Sequence, residues 1–168
     1  ASGGSLDLTL VPAGKKGTFD GTLALRQLRV RDAPAIAELL DAISVVGLLQ
    51  QLDGQGLAFD EVDAQFRLTP SQIVVTQSSA VGPGLGISLD GIYTLGSRAV
   101  DFQGVVSPFY LLNGIGSFLT RKGEGLIGFN FTVRGTPGAP QVGVNPLSVF
   151  TPGMFREIFR RPVPEVSK

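Results

Sequence analysis

Apolar residues recur at every second position along most of the chain, the spacing of strands with one apolar and one polar face. Leu6, Leu8 and Leu10 alternate with Asp7 and Thr9, and beyond a turn over residues 12–17, Phe19, Leu23 and Leu25 share a face. The phase then slips at Arg26 and Gln27 to Leu28 and Val30, which predicts a β-bulge. Val62, Ala64, Phe66 and Leu68 alternate with Asp63, Gln65 and Arg67, and Pro70 with Ser71 begins a turn into Ile73, Val75 and Gln77. The longest clean alternation is Leu85, Ile87, Leu89, Gly91, Tyr93 and Leu95. Gly96 and Ser97 read as a hairpin turn into Val100, Phe102, Gly104 and Val106. Ile127, Phe129, Phe131 and Val133 form another strand, and Val142 and Val144 a short last one.

Three segments break that period. Asp32 is placed to cap a helix with Pro34 in its first turn, along which Ile36, Leu39, Leu40, Ile43 and Gly47 recur at helical spacing and Leu48, Leu49 and Leu52 continue. From Pro108, the residues Leu111, Leu112, Ile115, Phe118 and Leu119 read as a second short helix. The third covers residues 152–161, with Met154, Phe155, Ile158 and Phe159 on one side and Arg156 and Arg160 leaning to the other. These helices, roughly 20, 11 and 9 residues at a rise of ~1.5 Å per residue, are too short to roof seven strands. The expected fold is mainly β (α+β): an antiparallel meander of seven to eight strands, folded over upon itself, with two to three short helices at its ends. Pattern alone leaves a filled barrel, a sandwich and a parted apolar groove open. One domain is expected over residues 1–161, with 162–168 a disordered tail.

Composition sharpens this picture. Only 17% of the 168 residues are charged and 43% are hydrophobic, so few ions remain to cover the outside. The longest uncharged stretches, residues 68–89 and 102–120, are broken by Pro, Gly, Ser, Gln and Asn, unlike a membrane span of ~20 apolar residues. The opening ASGG reads as a tag remnant or the start of a fragment rather than a signal peptide. Fourteen basic residues balance fourteen acidic ones, which gives no field to draw nucleic acid. The balance hides a split, since residues 1–90 carry six bases and ten acids and residues 91–168 eight and four.

No Cys and no His are present, which removes thiol chemistry, zinc sites of the usual kind and the commonest general base. Gly123, Gly125 and Gly128 satisfy G-x-G-x-x-G, but they follow a predicted helix and open a strand, the reverse of a phosphate-binding turn. Asp60, Glu61 and Asp63 lack the pattern of a calcium loop and read as a solvated turn at a change of strand phase. Asp90 and Asp101 are expected to face water from neighbouring strands, and Ser88 and Ser117 have no His to activate them. The expectation is a non-enzyme with no catalytic residues, metal or cofactor. Phe150, Met154, Phe155, Ile158 and Phe159, beside Arg156 and Arg160, suit either a helix at an anionic membrane surface or a plug for the β structure.

Several strings, in order, carry a resemblance to a family: VRDAPAIAELL at 30–40, GL at 47–48, GQGLAF at 54–59, GPGLGISLDG at 82–91, GVVSPFYLLN at 104–113, GEGL at 123–126, and VNPLS at 144–148 followed by Pro152, Gly153 and Arg156. The chain resembles, over about residues 15–161, the C-terminal region of the AsmA-like superfamily, in particular its YhdP-like branch. The resemblance implies an excised piece of a long periplasmic protein of a Gram-negative bacterium, tethered to the inner membrane, whose strands curl into an open, taco-like groove. It further implies a lipid-conducting module that moves phospholipids between inner and outer membranes, with the inner leaflet of the outer membrane or an envelope protein at this end. The residues agree, because acyl chains need a continuous apolar wall without directional partners. Expected wall residues are Phe19, Leu23, Leu25, Phe66, Leu68, Ile73, Val75, Leu85, Ile87, Leu89, Tyr93, Phe102, Ile127, Phe129, Phe131 and Val133. The alternative is a structural module that docks the bridge on the outer membrane or a partner through residues 150–161. Either way, exposed apolar walls cut from their neighbours can pair edge to edge between copies.

Overall fold

The computed structural model describes residues 3–43, 53–108 and 128–145. Eight antiparallel strands follow one another in a single sheet whose spatial order is the chain order. They are β1 (Ser5–Pro12), β2 (Phe19–Val30), β3 (Leu57–Leu68), β4 (Gln72–Val81), β5 (Leu85–Thr94), β6 (Val100–Pro108), β7 (Phe129–Thr136) and β8 (Ala139–Asn145), with one helix, α1 (Pro34–Ala42), between β2 and β3. β1 and β8 are the edges, so the sheet is an open meander and not a closed barrel. The second and third expected helices and Ile127 lie outside the described residues, as does the tail.

Cross-strand register sorts the side chains onto two faces, because residues directly opposite in an antiparallel pair point the same way. Leu6, Leu8 and Leu10 meet Leu25, Leu23 and Gly21, which lie in line with Val62, Ala64 and Phe66 of β3. The same face continues through Ala80 and Ser78 to Ile87 and Leu89, then to Val106 and Gly104, and ends on Phe129, Phe131 and Val144. The opposite face is largely polar.

Two local irregularities keep the apolar set on one side. At Gln27, which takes a left-handed φ of 55°, β2 changes phase, and β3 changes phase opposite it at Asp60. Arg26 faces Glu61 and Leu28 faces Phe59, so the register is unbroken while Leu28, Val30, Leu57 and Phe59 all turn inward. The expected one-sided bulge is therefore a matched pair of slips. A true bulge lies in β4, where the register shifts between Val75 and Ser78. Thr76 Oγ1 donates to the Gln65 carbonyl there at 3.2 Å. This extra residue sends Gln77 to the polar side, opposite Gln65, and corrects its expected place in line with Ile73 and Val75.

Helix α1 begins with Pro34 after Ala33 in the cap position, and no side chain caps it. Asp32, expected as the cap, instead turns the chain at a φ of 52°. The helix rests on the apolar face at the end of the sheet where β2 stops. Leu39 and Leu40, 2% and 0% exposed, pack there with Leu57, Phe59, Leu85, Ile87, Val106 and Phe131. At ~1.5 Å per residue α1 is about 14 Å long, whereas a twelve-residue strand runs about 40 Å at ~3.3 Å per residue, so the rest of that face has no described helix over it.

Candidate functional site

A cavity of about 260 Å³ lies between α1 and the sheet. Its walls are Leu28 and Val30 of β2, Phe59 and Val62 of β3, Ala80 of β4, Ile87 and Leu89 of β5, Phe131 and Val133 of β7, and Ile36 and Leu39 of α1. On a flat sheet β2 and β7 stand five strand spacings apart, about 24 Å at ~4.8 Å each. Because both wall one cavity, the sheet is curled about its apolar face. The fold is thus a half-barrel groove, roofed by α1 at one end.

Ser78 is the one polar side chain that register sets on this face within the cavity wall, and its Oγ donates to the Leu89 carbonyl at 2.8 Å. The hydroxyl is satisfied within the sheet and asks nothing of a ligand. A molecule in the cavity would meet hydrocarbon nearly everywhere, Ser78 and Ser79 being the two polar residues of the lining.

Fifteen of the sixteen expected wall residues are described, and the register puts all fifteen on this one face. Leu85, Ile87 and Phe131 are buried in the core under α1, so they hold the roof as well as line the wall. Phe19, Leu23, Leu25, Phe66, Leu68, Ile73, Val75, Leu89, Tyr93, Phe102, Phe129 and Val133 are half-buried. Sequence reasoning did not count Leu28, Val30, Phe59, Val62, Ala80 and the α1 residues Ile36 and Leu39 in the wall. The matched phase slips at Gln27 and Asp60 hid Leu28, Val30 and Phe59, and the helical period carried no information on which strands α1 would cover. Phe150, Met154, Phe155, Arg156, Ile158, Phe159 and Arg160 lie outside the described residues.

The polar face is held by its own cross-strand pairs. Asp20 and Arg67, directly opposite, form a two-pronged ion pair with Nε–Oδ1 2.6 Å and Nη2–Oδ2 3.0 Å. That hydrogen bond holds the Asp20 carboxyl below its ordinary 3.8 and raises the Arg67 guanidinium. Arg26 bridges Glu61 at 2.9 Å and Asp63 at 3.1 Å, and Arg134 stands 3.5 Å from Asp101. Asp60, Glu61 and Asp63 thus belong to strand β3 rather than to a turn, and two of them serve Arg26. Asp90 does not face water as expected: it is 3% exposed and accepts a hydrogen bond from Gln103 Nε2 at 2.9 Å. Among the described residues no three acidic side chains converge as a metal site would need.

Fold and site together define an open, curled β-meander with an apolar groove. No family model, curated protein or solved structure matches this chain.

Proposed function

We propose that the chain is a non-enzymatic lipid-binding and lipid-conducting module whose groove holds phospholipid acyl chains. One observation carries this reading: a cavity lined almost wholly by hydrocarbon lies on the apolar face of the sheet, and the Ser78 hydroxyl in its wall is already paired with the Leu89 carbonyl. Each methylene moved from water onto such a wall gains ~0.8 kcal/mol, and no directional bond fixes its position. A chain of methylenes is therefore retained yet free to slide. The resemblance to the AsmA-like superfamily supports the same reading and adds its setting, a bridge across the periplasm between inner and outer membranes.

The alternation of faces gives the test. A photoreactive amino acid placed in turn at Thr22, Leu23, Ala24 and Leu25 of β2, in protein exposed to phospholipid vesicles, should cross-link lipid from positions 23 and 25 and not from 22 and 24. Equal cross-linking at all four, or none, would count against the groove as the lipid path.

A further inference from the structure

Three arginines of the polar face, Arg26, Arg67 and Arg134, stand against carboxylates across a strand pair. Arg29 and Arg31 do not. Both lean on one peptide oxygen, the Gln55 carbonyl, which accepts from Arg29 Nη1 and from Arg31 Nε at 3.2 Å each. Among the described residues no carboxylate pairs with either. Local sequence sets this arrangement. The two arginines are two residues apart, one on β2 and one just beyond it, so they share a side of the strand. Gly56, at a left-handed φ of 85°, turns the chain into β3 and makes room for both stems: a Cβ there would come within 2.7 Å of Arg31 Cγ and 3.1 Å of Arg29 Cγ. Two guanidinium heads that share one carbonyl keep most of their donors for other partners, and like charges held this close favour an anion beside them.

We infer that Arg29 and Arg31 form a binding site for a phosphate group. The planar fork of a guanidinium matches phosphate oxygens, and two forks converging from stems seated on one glycine hold a phosphodiester by both of its unesterified oxygens. The position of the pair points to the source of that phosphate. Leu28 and Val30, which alternate with the two arginines, wall the cavity, and Arg31 is the first residue past β2 at the end of the sheet that α1 roofs. A phospholipid whose acyl chains lie against Leu28 and Val30 carries its phosphate out past the end of the strand, where Arg31 stands. This assignment to a lipid headgroup rests on the lipid-binding reading. The phosphate site itself does not.

The test is heteronuclear NMR of the arginine Nε–H groups in the full chain, titrated with inorganic phosphate and, separately, with a short-chain phosphatidylglycerol kept below its micelle concentration. Both ligands should shift the Arg29 and Arg31 signals saturably, while the signal of Arg67, already paired with Asp20, stays in place. Sodium chloride at the same ionic strength should shift none of them. Arg31→Gln should raise the phosphate needed for half-saturation roughly tenfold. Arg98→Gln, the same charge change in the hairpin at the other end of the sheet, should leave it unaltered. Because the lipid's chains also gain from the groove, phosphatidylglycerol should half-saturate the pair about tenfold below inorganic phosphate or lower. Signals that ignore both ligands, that follow chloride equally, or that weaken alike in the two variants overturn the site, and none of these results touches lipid loading of the groove. Phosphate binding with no gain for the lipid gives the site to a soluble phosphate and overturns the headgroup assignment.

Discussion

On the apolar face two phenylalanine rings lie across glycines of the next strand, Phe66 over Gly21 and Phe131 over Gly104. A Cβ on Gly21 would come within 2.3 Å of the tip of the Phe66 ring, and one on Gly104 within 2.1 Å of the Ser88 carbonyl oxygen and 2.8 Å of the Phe131 ring. The missing side chains let the rings lie down on the sheet instead of standing into the groove, which keeps the wall smooth. Backbone cannot yield as a ring tip can. Gly104→Ala is therefore expected to cost at least about 2 kcal/mol in urea unfolding, whereas Gly96→Ala, with nothing within 4 Å, should change stability little. Similar effects at both sites would contradict this account of the wall. These glycines were visible in the sequence as members of alternating runs, but which aromatic ring each one receives depends on register between strands.

At the scale of elements, α1 roofs the groove without filling it. Ala80 of β4 stands on the cavity wall, directly opposite Val62 and Ile87 of its neighbouring strands. Ala80→Leu adds hydrocarbon where there is space for it, so it should hold or raise the melting temperature while reducing bound lipid at least severalfold, read by thermal unfolding and lipid extraction of the same sample. An inserted side chain that lowers stability, or leaves lipid unchanged, would show that the cavity is not the lipid's place. Strand existence and face were legible for nearly every element, because a period of two needs only local residues. The exceptions have local causes too: the slip at Gln27 is matched by one in β3, the bulge at Thr76 reversed Gln77, and the backbone turn at Asp32 moved the cap to Ala33. Asp90 was misread because its partner, Gln103, is thirteen residues away across a strand pair.

For the whole molecule, the choice among barrel, sandwich and groove was not written in the alternation, since all three use strands with one apolar face. What decides it is long-range: β2 and β7 share a cavity, yet β1 and β8 stay apart as edges. The low charged fraction then has a place in the structure. Opposite charges face one another across the polar side, at Asp20 with Arg67, Arg26 with Glu61 and Asp101 with Arg134, while the apolar side has half-buried residues over most of its area. Native mass spectrometry of the chain purified from bacteria without detergent tests the central claim most directly, compared with Leu25→Asp, a half-buried wall position away from the core under α1. The unaltered chain should carry phospholipid-sized mass increments, and the variant should lose most of them while keeping the same circular dichroism. A folded chain that carries no lipid, or a variant that carries as much as its parent, would contradict the account.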